Sequence, residues 1–217
     1  MKNILCFGDS NTFGYDGENE GARFPRDVRW TGRLQKLLGD DYFVIEEGLS
    51  GRTIVNDDPV TGRMSGISYL PACLESHRPI DLVIFMLGTN DLKNRFSMSP
   101  GEVGRAAQRA VKLIQNSECG RSGEPEILLV APVEGKRVEM ESDPYWPWST
   151  NSVQDMTGKN VELSEVLMWT AQYTNTHFAS VCDDERFPTN NVDGIHLTPE
   201  GHSAVADFLA KKVREIL

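Results

Sequence analysis

The sequence predicts a three-layer α/β/α sandwich around a parallel sheet of about five strands, on three observations. Strand-length apolar runs with almost no alternation recur along the chain, as strands buried on both faces require. Helical patterns separate them, long enough for the crossovers that parallel pairing needs. Most of the runs end in a short polar, glycine-bearing loop, the place where open α/β sheets bind their ligands.

The elements follow in chain order. Lys2–Phe7 is the first strand and delivers Gly8-Asp9-Ser10-Asn11 at its C-terminal end. Residues 11–29 break the rhythm and read as a long loop. Trp30–Leu38 is helical, Tyr42–Glu46 is the second strand, and Ile67–Glu75 is the next helix. Asp81–Leu87 (DLVIFML) and Glu126–Ala131 (EILLVA) are the most apolar strands. Between them, Ser99-Pro100-Gly101-Glu102 forms a capping box that opens a helix over Pro100–Glu118. Residues 133–160, with Asp143-Pro144-Tyr145-Trp146-Pro147-Trp148, read as an insert that covers substrate. A helix over Val161–Phe178, a weak fifth strand at Ala179–Cys182 and a helix over Pro199–Leu217 opened by Thr198-Pro199 complete the pattern. A single domain over residues 1–217 accounts for all of it.

Composition narrows the function classes. With 39% hydrophobic and 25% charged residues the chain is globular in make-up. Its formal net charge of −10 repels phosphate backbones and anionic bilayers, so no nucleic-acid or membrane partner is expected. No apolar run approaches a membrane span or a secretory core segment, and a cytoplasmic location is expected. Cys6, Cys73, Cys119 and Cys182 are scattered without a C-x-x-C pair, which suits reduced thiols better than disulfides or a zinc site.

Four strand-end loops concentrate the chemistry: Gly8-Asp9-Ser10-Asn11, Glu46-Glu47-Gly48-Leu49-Ser50-Gly51-Arg52, Gly88-Thr89-Asn90-Asp91 and Asp193-Gly194-Ile195-His196. Together they offer the parts of an acyl-transfer site. Ser10 is the candidate nucleophile, His196 its base, and Asp193 the carboxylate that holds the imidazole tautomer. The backbone N–H groups of Ser10 and Gly51 and the amide of Asn90 are the candidate oxyanion donors. No metal or cofactor is needed. Asp183 and Asp184 are rival partners for His196, and Asp91 is either a turn residue or a functional one. Trp30, Trp146 and Trp148 either line the acyl pocket or pack a loop, and Asn11 joins them as a candidate substrate contact.

The four blocks, in this order, resemble the SGNH (GDSL-type) hydrolases, and the resemblance spans nearly the whole chain. It implies the SGNH-hydrolase, flavodoxin-like fold, with Ser10 as nucleophile, Gly51 and Asn90 as oxyanion donors, and His196 with Asp193 completing a triad. Gly8-Asp9-Ser10-Asn11-Thr12-Phe13-Gly14, Arg29-Trp30 and Leu87-Gly88-Thr89-Asn90-Asp91 are similar to the bacterial arylesterase and acyltransferase branch. That branch implies small acetyl or aryl ester substrates, acyl transfer to alcohols beside hydrolysis, and a homo-oligomer. One departure stands out: where the second block usually has Asn before Gly-x-Ser-Gly, this chain has Glu46 and Glu47.

Two other functions fit less well. A carbohydrate acetylesterase would use the tryptophans of the insert to stack on sugar. A nucleotide- or flavin-binding module would use Gly8–Gly14 as a phosphate loop, but neither G-x-x-x-x-G-K-[S/T] nor G-x-G-x-x-G is present. The missing G-x-S-x-G elbow likewise disfavours an α/β-hydrolase.

Overall fold

A computed structural model describes residues 1–136, 159–183 and 185–217, so Trp146, Trp148 and Asp184 lie outside the described residues. The chain runs through β1 (Lys2–Gly8), α1 (Ser10–Phe13), the hairpin β2 (Tyr15–Asp16) and β3 (Ala22–Arg23), α2 (Trp30–Leu38), β4 (Tyr42–Gly48) and α3 (Gly66–His77). It continues through β5 (Leu82–Met86), α4 (Pro100–Gln115), β6 (Glu126–Ala131), α5 (Lys159–Thr174), β7 (His177–Ser180) and α6 (Pro199–Ile216).

The five long strands pair in the order β4-β1-β5-β6-β7, all in parallel. Side chains alternate between two buried faces, which explains the continuous apolar runs. Leu5, Phe7, Val83, Phe85, Ile127 and Leu129 pack under α3, α4 and α5. Ile4, Cys6, Leu82, Ile84, Leu128 and Val130 pack under α2 and α6. The chain winds outward from β1 in both directions, to β4 on one side and to β5 on the other. The crevice at that reversal is where a doubly wound sheet places its ligand. Gly8 is in register with both Gly48 and Met86, so the loops after β1, β4 and β5 leave the sheet side by side.

The capping box at Ser99 forms in full, with Ser99 Oγ accepting the Glu102 N–H and the Glu102 carboxylate accepting the Ser99 N–H. Thr198 caps α6 by accepting the Gly201 N–H at 3.1 Å. Three stretches depart from the sequence pattern, one being the helix read to Glu118, which ends at Gln115. Residues 11–29 are not one long loop but hold α1 and the β2–β3 hairpin. The helix read to Phe178 stops at Thr174, because Asn175 is left-handed (φ 54°) and His177 and Phe178 join the sheet against Leu128 and Leu129. The last strand therefore begins at His177, not Ala179.

Asp91 is wholly buried and ties the end of β5 to the segment after β4. Its carboxylate accepts the Ile54 N–H at 3.0 and 2.8 Å, the Val55 N–H at 3.3 Å and the Asn56 amide at 3.4 Å. Burial pushes its pKa up to about 7 against the pull of those donors. Asp91→Ala strands the Ile54 and Val55 N–H groups without an acceptor, at a cost of about 2–3 kcal/mol. For a chain of this size that is about 5–10 °C in Tm. Thermal denaturation checks it, and a drop under about 2 °C would contradict the tether.

Candidate active site

Ser10 is the first residue of α1, a single turn that follows β1 directly. Asp9 caps that turn by accepting the Asn11 N–H at 3.1 Å, and left-handed Gly14 (φ 83°) ends it. Ser10 is thereby held at the strand end, 8% exposed. Its Oγ lies 2.9 Å from His196 Nε2, and His196 Nδ1 lies 2.8 Å from Asp193 Oδ2. With Nδ1–H donated to Asp193, Nε2 is left to accept the serine proton.

Side-chain amides hold the loop that carries Asp193 and His196. Asn190 Oδ1 accepts the Val192 and Asp193 N–H groups, while its Nδ2 donates to Asp193 Oδ1 at 3.1 Å and to the His196 carbonyl at 3.1 Å. Asp193 Oδ1 also accepts the Ile195 and His196 N–H groups at 2.9 and 3.0 Å, which fixes the short three-residue step as an Asx-type turn. Burial works to raise the Asp193 pKa, but the imidazole of His196 and these N–H donors hold it below the usual carboxylate value. The Tyr15 ring packs on the imidazole with centroids 4.2 Å apart. Gly17 closes over the pair so tightly that a Cβ there would stand 2.2 Å from Asp193 Oδ2.

The donors expected to meet an oxyanion converge on the same cavity. Gly51 sits in a turn at φ 79°, a conformation that favours glycine. Among the described residues, neither its N–H nor that of Ser10 is given to a protein acceptor. Asn90 Nδ2 donates to the Arg52 carbonyl at 3.1 Å and, more loosely, to Asp9 Oδ2 at 3.3 Å. Ser10, Gly51, Asn90 and His196 all line one cavity of about 240 Å³. A larger cavity of about 470 Å³, walled by Leu49, Arg52, Met64 and Tyr69, is lined by none of Ser10, Asp193 and His196.

Some candidates take other places. Trp30 does not line the pocket: it is fully buried in the core under α2 and α6, and its backbone N–H meets His202 Nδ1 at 3.3 Å. Asn11 lines the cavity, but its amide is engaged elsewhere, donating to the Ile195 carbonyl at 3.1 Å and accepting the Leu197 N–H at 2.9 Å. It clamps the His196 loop to α1. Asp183 does not reach His196 and instead accepts the Arg186 N–H at 3.2 Å in its own turn. His202 is buried and its pKa is pushed down to about 3, chiefly by burial.

The two glutamates of the second block have structural work. Glu46 accepts Arg29 at 2.7 Å and Thr31 at 2.5 Å, which pins the start of α2 to β4. Burial opposes its ionisation, yet these donors hold its pKa low. Glu47 pairs with His77 at 2.9 Å. Glu47, Cys73 and His77 are also the metal-capable group among the described residues, with ligand atoms within 4.8 Å of one another. The Glu47–His77 pair already fills it, the Arg52 guanidinium lies over the adjoining Tyr69 ring, and burial pushes the Cys73 thiol up to about 12, so the donors are poorly suited to a cation.

Sequence reasoning missed Tyr15, Gly17, Asn190 and Lys93. Asn190 carried a legible signal, an Asn three residues before an Asp-Gly turn, whereas the others enter the site only through the hairpin and the turn after β5.

The family model for the GDSL-like lipase/acylhydrolase family matches residues 6–204. The native aryl esterase of M. smegmatis is 38% identical, with a TM-score of 0.89 over 100% of both chains. A carbohydrate acetylesterase from Sinorhizobium meliloti is 35% identical, also with a TM-score of 0.89 over 100% of both chains. An acetylxylan esterase from Xylanibacter ruminicola is 24% identical over 97% of this chain, which spans 43% of that protein's length.

Proposed function

Because the chain belongs to the GDSL-like lipase/acylhydrolase family and is a carboxylic ester hydrolase, we propose that it acts through an acyl-Ser10 intermediate on esters of short acyl groups. The observation that carries this reading is the hydrogen-bond chain from Asp193 through His196 to Ser10, at 2.8 and 2.9 Å.

In the proposed cycle His196 Nε2 takes the Ser10 proton as Oγ attacks the ester carbonyl carbon. The developing oxyanion meets the N–H groups of Ser10 and Gly51 and the Asn90 amide, which exchanges its longer bond to Asp9 for the full negative charge. Collapse expels the alcohol, protonated by His196. Water then attacks the acyl-serine, with His196 again as base, and releases the acid. The cavity of about 240 Å³ is smaller than most small-molecule sites, which supports acetyl-sized acyl groups.

Rapid-mixing assays with para-nitrophenyl acetate test the cycle. A burst equal to the enzyme concentration, or single-turnover capture of acetyl-Ser10, is expected. Turnover with no acyl-serine under any condition would contradict it. Asn90→Ala is expected to lower kcat about 10²–10³-fold with a smaller change in KM. A pure KM effect would instead make Asn90 a ground-state contact.

The rate is expected to fall on acidification, because the base must be uncharged to take the Ser10 proton. Asp193, held below the usual carboxylate value, stays ionised into mild acid, so the acid limb reports the base and not its partner. A flat profile would contradict a histidine base.

The similarity to carbohydrate acetylesterases favours a second reading, deacetylation of acetylated sugars by the same triad. Comparing acetylated xylose with aryl acetates separates the two. We further propose acyl transfer to alcohols, checked by ester product formed in aqueous ethanol. A homo-oligomer, supported by the exposed apolar side chains of Val60, Met64 and Tyr69, is checked by light scattering. A reducing, cytoplasmic compartment is supported by the free thiols of Cys6, Cys73, Cys119 and Cys182.

A further inference from the structure

Lys93 is the one lysine or arginine among the described residues that line the Ser10 cavity. It follows the turn Thr89–Leu92 that carries Asn90, and its backbone N–H returns to the Asn90 carbonyl at 3.4 Å. The side chain is half-buried, and no hydrogen bond or ion pair to its ammonium forms among the described residues.

The carboxylates near enough to act on it all have other partners. Asp58 is bridged to Arg95 at 2.7 Å and accepts the Val60 N–H. Asp91 is filled by Ile54, Val55 and Asn56. Asp9, the one carboxylate lining the cavity, is bonded to the Asn11 N–H and the Asn90 amide, and burial raises its pKa. A half-buried ammonium without an acceptor among the described residues, at the wall of the cavity that Ser10 lines, is ordinarily matched by an anion.

We propose that Lys93 is a specificity-determining residue and that the cavity accepts esters carrying an anionic group, a carboxylate above all, which the ammonium meets. The inference rests on the esterase reading and adds a substrate class to it. A chain with a formal net charge of −10 otherwise disfavours anionic substrates, so a single local cation can decide between charged and neutral esters.

The test is a ratio of kcat/KM values, charged over neutral, in two arms. The first compares the mono-para-nitrophenyl ester of succinate with its methyl ester, which places the charge on the acyl side. The second compares meta-acetoxybenzoate with its methyl ester, which places it on the leaving alcohol. Lys93→Met is expected to lower the ratio about tenfold or more in at least one arm, the low end of what a hydrogen bond to a charged group contributes. Lys93→Arg should keep most of it, and added salt should erode the wild-type ratio while leaving that of Lys93→Met nearly flat. The responding arm tells which half of the ester faces Lys93. If the wild type hydrolyses the neutral esters but the ratio moves less than about twofold in both arms, the inference is overturned while the esterase reading stands. Should Lys93→Met fail to fold, the Lys93→Gln ratio and the wild-type salt dependence decide in the same way. Failure of the wild type on every neutral ester would overturn the esterase reading and this inference with it.

Discussion

Ser10→Ala is expected to lower kcat by about 10⁶-fold, the scale on which hydrolases respond to loss of a triad nucleophile. The variant should fold as the parent does. Ser10 is 8% exposed at the first position of α1, and its side-chain hydrogen bond is the one to His196 at 2.9 Å. The cap on that turn comes from Asp9 and is untouched. What disappears is the oxygen that attacks, and the oxyanion donors and substrate contacts that remain leave only a small residual rate over water. Steady-state assays on an aryl acetate check this, alongside a circular-dichroism melt to confirm folding. Residual activity above about a tenth of the parent would mean that another group does the chemistry.

Asp193→Asn is expected to lower kcat by about 10⁴-fold while leaving the loop in place. Asp193 Oδ1 accepts Asn190 Nδ2 and the N–H groups of Ile195 and His196, and an asparagine oxygen can accept all three. Its other side-chain atom faces His196 Nδ1 at 2.8 Å. An NH₂ group there would donate, driving the imidazole to carry its proton on Nε2, the atom that must receive the serine proton. The substitution thus separates orientation from fold. A loss below about tenfold would mean that the carboxylate only builds the turn.

The sheet was legible because burial on both faces writes itself into sequence as unbroken apolar strands such as Leu82–Met86 and Glu126–Ala131. The long helices were legible through their caps at Ser99 and Thr198. The proposed nucleophile, base and carboxylate stood out in the sequence because they lie in short polar blocks, which the structure brings within hydrogen-bond distance of one another. The region between α1 and α2 was not legible, since a four-residue helix and two-residue strands carry no periodicity. Tyr15 and Gly17 reach the site through the β2–β3 hairpin and Lys93 through the turn after β5, so their places depend on local backbone course rather than on spacing. Trp30 shows the opposite limit: beside the Ser10 block a tryptophan invites a pocket role, yet it falls on the apolar face of α2 and is buried in the core. The join between α5 and β7 was misplaced because Gln172–Ser180 is a mixed, largely polar stretch with only Ala179 of the strand buried, and the left-handed residue that ends the helix is an asparagine rather than a glycine.

The proposed cycle turns on the activation of Ser10 by His196. Reaction with a fluorophosphonate, followed by intact-mass measurement and peptide mapping, tests it without knowledge of the natural substrate. A single adduct on Ser10 is expected in the wild type and none when His196 is replaced by alanine. An adduct on another serine, or unchanged labelling of Ser10 without His196, would contradict it.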